Sequence, residues 1–136
     1  MKKIILSTIV LVLIIATSGY YYVFIYSKNK KFDMEHADSM NIEATALVSA
    51  FQENEANANK LYLDKVLFIN GVVGATAKTQ SGETSVTLTS SDPFSGVMAT
   101  LDSTVTTQVK VGDTLAIKGF CKGFLSDVVI TNALIQ

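Results

Sequence analysis

The chain has 136 residues, of which 11 are lysine or arginine and 12 are aspartate or glutamate, and its formal net charge is −1. All of the basic residues are lysines, and five of them flank one apolar run near the amino terminus. Residues 32–136 therefore hold 6 lysines against 12 acids, a net charge of −6. An acidic segment without arginine disfavours binding to phosphate backbones, and a single cysteine excludes an internal disulfide bond.

The apolar run extends from residue 4 to residue 26 and contains no charge. As a helix, its 23 residues would span about 34 Å, which exceeds a hydrocarbon core of about 30 Å. Tyrosines cluster at its carboxyl end, where aromatic rings meet lipid headgroups. We predict a signal-anchor helix at about residues 4–26, within a membrane anchor of residues 1–31, in a single-pass protein of the cytoplasmic membrane.

A cleaved signal peptide is the alternative interpretation, because Ala16, Thr17 and Ser18 are small residues at suitable offsets. Cleavage there would leave a mature chain that begins with an exposed apolar run, which favours the anchor. Lysine counts on the two sides of the segment are close, so the orientation rests on the short basic amino terminus, which usually stays in the cytoplasm. The carboxyl-terminal domain is therefore expected outside the cytoplasm.

Residues 32–41 are polar and mixed in charge, and we interpret them as a juxtamembrane linker. His36 in this linker is interpreted as solvated, because no second metal ligand is spaced to join it. From Ile42 to Tyr62 the chain lacks glycine and proline and repeats apolar residues at helical spacing. This pattern predicts one amphipathic helix, with Asn41 as its N-cap.

Beyond Asp64 the apolar pattern changes to the two-residue period of strands. Within Thr84–Ser90 it alternates strictly, so Val86 and Leu88 are predicted to face inward. Five short strands after one helix predict a mainly β fold, a small barrel or sandwich, in a helix-plus-barrel domain of residues 42–136. The predicted strands, separated by turn residues, are 65–77, 84–90, 97–101, 114–121 and 128–136.

The stretch Val111–Gly119, with the sequence VGDTLAIKG, is similar to the fourth strand of oligonucleotide/oligosaccharide-binding (OB) folds. The preceding helix contains Phe51-Gln52-Glu53-Asn54-Glu55, and Tyr62 to Lys65 follow it. Together these motifs resemble the tRNA-anti-like family of small bacterial envelope OB-fold domains, over roughly residues 44–136. The resemblance implies an OB-fold barrel in an anchored or exported protein, and it implies no particular reaction. With the apolar run, the predicted fold is a five-stranded OB-fold barrel preceded by a single transmembrane helix.

The same stretch also has a direct physical interpretation. Gly112 and Asp113 predict a turn with positive φ before the fourth strand. Gly119 and Gly123 are predicted to allow close backbone approach where a small barrel closes. Cys121 shares the inward parity of this strand, so we predict a small buried hydrophobe and not a reactive thiol.

Candidate ligand contacts are few in this sequence. OB barrels bind ligands mainly on the outward face of the second and third strands, and neither predicted strand carries an aromatic or basic residue there. Each ring near the loops and the last hairpin is interpreted as packing of the barrel or of a loop in preference to a stacking platform. The candidate binding residues are Phe94, Lys118, Phe120, Lys122 and Phe124.

These observations predict a non-enzymatic binding or interaction module. No catalytic residue, cofactor or metal site is predicted, since residues 42–136 contain one cysteine, no histidine and no glycine-rich phosphate loop. The expected partners are the membrane, through residues 4–26, and an envelope protein, peptide or glycan, because threonine-lined strands suit hydrogen bonding to sugars or backbone edges. The alternative is a nucleic-acid-binding OB-fold domain on the cytoplasmic side, which the surplus of acids and the scarcity of stacking rings disfavour.

Overall fold

The computed structural model describes residues 14, 15, 17, 18, 20, 37–105 and 107–136. Contacts divide the chain into two compact units, Met1–Asp33 and Met34–Gln136. Within the predicted anchor helix at 4–26, only positions 14, 15, 17, 18 and 20 are described. The rest of that helix lies outside the described residues, as does His36. Among the described residues, no helix combines the length and the apolar character that crossing a membrane requires.

The second unit is a closed five-stranded barrel, which confirms the barrel predicted from the sequence. The strands of this unit are β1 (Met40–Glu43), β2 (Val66–Lys78), β3 (Thr84–Leu88), β4 (Val97–Leu101), β5 (Thr114–Phe124) and β6 (Val128–Ile135). The barrel strands pair in the cyclic order β2, β3, β4, β6, β5 and back to β2, and every pairing is antiparallel except the parallel one between β4 and β6. The sixth strand, β1, lies outside this cycle and pairs with β2 in parallel.

Strand β1 replaces the end of the linker and the start of the helix that the sequence predicted. Residues 67–70 of β2 pair with β1 while residues 66–72 pair with β5, so β1 covers the edge of β2 opposite to β5. The side chain of Asn41, predicted as a helix cap, accepts a hydrogen bond from Asn70 Nδ2 at 3.2 Å. An uncovered edge of β2 would expose unpaired backbone groups, and β1 satisfies them.

The helical region consists of two helices, where the sequence predicted one. These are α1 (Ala44–Glu53) and α2 (Glu55–Tyr62), with Asn54 between them at an extended φ of −156°. The Asn54 side chain accepts a hydrogen bond from the Asn57 N–H at 2.9 Å, which caps the start of α2. Asparagine competes with helical backbone bonding in this way, and that explains the break.

Helix α1 closes one end of the barrel. Its buried face contains Leu47, Val48 and Phe51, and it contacts β1, β2, β4 and β6. The Phe51 ring stacks on Phe124 at the end of β5, with 5.9 Å between ring centroids. At the first turn the approach is so close that a Cβ on Gly71 of β2 would lie 2.9 Å from the Ala44 Cβ. The amphipathic stripe therefore serves as the lid of the barrel core.

Cys121 lies on β5 with its side chain fully buried, as the sequence predicted. Burial raises the pKa of its thiol, and the nearby Asp64 carboxylate raises that pKa further, against lowering effects from the Gly123 backbone and Lys122. A thiol with a raised pKa and no exposure is a poor nucleophile. Cys121 therefore acts as a packing residue of the core.

Candidate ligand-binding cleft

The structure places the three aromatic candidates in different environments. Phe94 lies in the loop between β3 and β4 with 89% of its surface exposed, so the packing role that the sequence favoured for this ring is wrong. Phe124 is half-buried beneath α1, against the ring of Phe51. Phe120 is half-buried within β5, beside Val66 of β2. Only Phe94 presents an open ring face to solvent among these three.

The two lysine candidates also lie in different environments. Lys118 lies in the middle of β5 and is only 7% exposed. Lys122 is exposed near the end of β5, where its Nζ forms an ion pair with Asp64 at 2.8 Å. The structure therefore does not gather the five candidate residues into one surface.

The outward face of β3 and β4, which we call the strand face, carries small and polar side chains and the apolar Met98. Register pairs place Ser85 beside Thr100 and Thr87 beside Met98, and Ala75 of β2 lies beside Thr87. No aromatic or basic side chain occurs among these residues, so the strand face offers no platform for stacked bases.

The loop that carries Phe94, residues 89–96, is held in place by its own side chains. Ser90 Oγ accepts a hydrogen bond from the Asp92 N–H at 3.0 Å and donates one to the carbonyl of Ser95. The Phe94 N–H donates to Asp92 Oδ1 at 2.8 Å. These local bonds are the Asx and serine turns that fix a short loop, and they fix the backbone at Phe94 as well.

Two long-range bonds tie this loop to the rest of the barrel. Gln52 Nε2 of α1 donates to Asp92 Oδ2 at 2.6 Å. The Gly96 N–H donates to Asp127 Oδ1 at 2.7 Å, from the turn between β5 and β6. The loop is therefore anchored at its middle and at its carboxyl end, so Phe94 is exposed on a loop whose backbone is held in place.

Beside Phe94 lies an open depression of about 400 Å³, which we call the loop cleft. It lacks a side chain at Gly74, where a Cβ would lie 2.7 Å from the Thr89 methyl group. Its lining combines one aromatic ring, hydroxyl groups and two carboxylates. The lining residues are Gly74, Thr87, Leu88, Thr89, Ser90, Asp92, Pro93, Phe94, Ser95, Gly96 and Asp127.

The charge of the loop cleft restricts what it can bind. Asp92 and Asp127 both line it, and no lysine is among its described lining residues. Two carboxylates repel phosphate groups, whereas each carboxylate oxygen that already accepts one bond retains a second lone pair for a donor. An aromatic ring beside such acceptors suits a ligand that is uncharged, rich in O–H or N–H donors and apolar on one face.

Sequence reasoning singled out Phe94 but missed its partners. Asp92 and Asp127 were not candidates, because 35 positions separate them and no motif links them. One local signal was present, since Ser90, Asp92 and Pro93 are typical of a fixed turn. These turn residues could have predicted that the loop carrying Phe94 is ordered and not flexible.

The fold recurs in a solved structure from Klebsiella pneumoniae, described as a "putative nucleic acid-binding lipoprotein". The TM-score is 0.59 at 18% sequence identity, over 79% of this chain and 99% of that chain. At this identity the likeness concerns the fold alone. No curated protein sequence matches the chain. The tRNA_anti-like family model matches residues 1–135, nearly the whole length, and the chain belongs to this family.

Proposed function

We propose that this protein is a non-enzymatic binding module of the bacterial cell envelope, and that its loop cleft binds an uncharged, hydroxyl-rich ligand such as a glycan segment. The observation that carries this proposal is the exposure of Phe94 on a loop that hydrogen bonds hold in place. A large apolar ring at 89% exposure loses contact with the core, and four hydrogen bonds from the loop, α1 and the β5–β6 turn nevertheless hold its loop in one shape.

Such a fixed loop reduces the entropy that binding would otherwise cost. A ligand that meets a loop already in its binding shape does not have to order it. The Phe94 ring can cover the apolar face of a sugar, while Asp92 and the hydroxyl of Thr89 accept or donate hydrogen bonds at its edge. Binding without chemistry is consistent with this lining, because the described residues of the loop cleft include no histidine, cysteine or lysine.

Nucleic acid is the second candidate ligand, because the Klebsiella pneumoniae protein carries that description. The charge of this chain argues against it. Among residues 37–136, the described positions carry 10 acids and 6 lysines, a net charge of −4. The strand face also lacks stacking rings and lysines, which single-stranded nucleic acid requires.

The loop cleft proposal predicts that Phe94→Ala weakens binding of a neutral oligosaccharide at least about tenfold, the effect of removing an aromatic anchor. Binding of chitotetraose and maltoheptaose to the purified full-length chain would be measured by calorimetry. The matched control is Val111→Ala, which removes another exposed apolar side chain, 65% exposed, from the turn before β5. That variant should bind as the unaltered chain does.

Two outcomes would contradict the glycan assignment. One is a saccharide affinity that Phe94→Ala leaves unchanged while thermal unfolding confirms that both variants are folded. The other is binding of a thymidine dodecamer, at physiological salt, by a chain that binds neither saccharide. This second result would favour the nucleic-acid candidate.

The envelope location is a separate proposal, supported by the lysine-flanked apolar run at residues 4–26 and by the lipoprotein description of the Klebsiella pneumoniae protein. Alkaline phosphatase fused after Gln136 should be active, because that enzyme matures only outside the cytoplasm. Green fluorescent protein fused at the same position, and exported by the same secretory route as the phosphatase fusion, should not fluoresce. A bright fluorescent fusion with an inactive phosphatase fusion would place the barrel in the cytoplasm and remove the envelope proposal.

A further inference from the structure

A second and larger depression lies at the other end of β3. Thr84, the first residue of β3, lines it, whereas Leu88, the last, lines the loop cleft. We call it the hairpin groove, and its volume is about 730 Å³. It forms between the far end of the β2–β3 hairpin and the connection from β4 to β5. Its lining residues are Thr76, Ala77, Lys78, Thr84, Val105, Thr107, Gln108, Val109 and Lys110.

The two charged side chains that line the hairpin groove are both lysines. Lys78 and Lys110 contribute to it from separate segments, and no carboxylate is among the described lining residues. The nearby acid Asp113 directs Oδ2 to the Lys110 backbone N–H at 2.9 Å. The charged side chains among the described lining residues are therefore positive, the reverse of the loop cleft.

One of these ammonium groups has a fixed position. Lys78 Nζ donates a hydrogen bond to Thr84 Oγ1 at 2.9 Å across the β2–β3 hairpin, where the two residues pair in register. An ammonium group has three donors, so two remain for a ligand. Lys110 faces the same space from the connection before β5, beside Gln108 and Thr107, whose amide and hydroxyl can bond to ligand hydroxyls.

The uncharged lining residues of the hairpin groove indicate which class of anion it binds. Described residues of the hairpin groove include three threonines, one glutamine, one alanine and two valines, and no aromatic ring. Bases of single-stranded nucleic acid bind through stacking on rings, and this lining offers none. Threonine hydroxyls and an amide, with two ammonium groups, instead match a compact ligand that combines a phosphate or carboxylate with several hydroxyls. The volume is in the usual range of small-molecule sites.

The geometry points to a second ligand site in this protein: the hairpin groove binds a phosphate- or carboxylate-bearing sugar through Lys78 and Lys110. This site is independent of the loop cleft in position and opposite to it in charge. Its ligand is an acidic saccharide unit, whereas the loop cleft takes an uncharged one.

The test is calorimetric titration of the purified full-length chain with glucose 6-phosphate, with digalacturonic acid and with glucose. We expect one or both acidic sugars to bind, and the one that binds identifies phosphate or carboxylate as the recognised group. Lys78→Gln and Lys110→Gln should each weaken that binding about tenfold, as expected for loss of a charge-assisted hydrogen bond, and the double variant should abolish it. Affinity should fall as salt rises.

Matched controls separate this site from general charge effects. Lys60→Gln removes an exposed lysine of α2 that lies outside the hairpin groove, and it should leave the affinity unchanged. Phe94→Ala should also leave it unchanged, even if it abolishes binding at the loop cleft. Thermal unfolding of each variant confirms that it is folded.

Three results would overturn the inference. The first is the absence of measurable binding by either acidic sugar. The second is binding that persists in the folded Lys78→Gln/Lys110→Gln variant. The third is a thymidine dodecamer that binds through these lysines when the acidic sugars do not, since the groove would then be a nucleic-acid site.

Discussion

Replacing Phe51 with alanine should lower the free energy of unfolding by about 4 kcal/mol, in the range for loss of a buried phenylalanine. Its side chain is almost completely buried, and its ring contacts Phe124 at 5.9 Å and Tyr62 at 6.1 Å between centroids. The variant would leave a cavity where α1 closes the barrel. Because small domains are stable by about 5–15 kcal/mol, this loss is a large fraction of the total.

The measurement is chemical denaturation of the full-length chain, followed by circular dichroism and compared with Leu61→Ala. Leu61 lies on the neighbouring helix α2 but is 43% exposed, so its truncation should cost about 1 kcal/mol or less. Equal midpoints for the two variants would mean that α1 is not part of the cooperative core. A large effect at Phe51 alone would establish that the lid and the barrel unfold together.

The barrel was predictable because its signals are local. Val86 and Leu88 alternate with polar residues on β3, and both are fully buried. Gly112 has the positive φ of 93° that its turn position indicated. A two-residue period with glycine turns determines which residues can be strands before any contact is known. The tRNA-anti-like resemblance supplied the remaining information, that the strands form an OB-fold barrel and not a sandwich.

The features that sequence analysis missed lie where a local pattern admits more than one structure. Strand β1 alternates apolar and polar residues, but its 4 residues are too few to distinguish a strand from the start of a helix, and it is a strand because an edge of β2 is available to it. The helix break at Asn54 depends on one side-chain bond, to the N–H of Asn57, that competes with helix propensity. The first outcome is decided by tertiary context, whereas the second is decided by a local bond that the spacing of apolar residues does not reveal.

Only part of the loop cleft was predictable, because the bonds that hold it join segments far apart in the sequence. Phe94 in a loop with a proline is visible in the sequence, but its exposure is decided by where the loop is tied. Those ties join Asp92 to Gln52, 40 residues away, and Gly96 to Asp127, 31 residues away. The hairpin groove was wholly missed, since Lys78 and Lys110 become neighbours only when the hairpin lies against the β4–β5 connection.

Gly119→Ala is the second substitution with a large expected effect, about 3 kcal/mol of lost stability, at the upper end for overpacking of a core. A Cβ at this position would lie 2.5 Å from Ile130 Cγ2, 3.1 Å from the Thr131 carbonyl oxygen and 3.2 Å from the Ala133 Cα. Two of those atoms belong to the backbone of β6, which cannot retreat without breaking its pairing with β5. The close approach predicted for this glycine is therefore confirmed.

Gly74→Ala is the matched control, because its closest new contact, at 2.7 Å, would be the methyl group of the Thr89 side chain. A threonine side chain can rotate away, so this variant should lose about 1 kcal/mol or less. Thermal and chemical unfolding of the two variants gives the comparison. If both lose the same small amount, the β5 and β6 backbones must be farther apart than the structure has them. If only Gly119→Ala is strongly destabilised, the absence of a side chain at that position is what lets β6 complete the barrel.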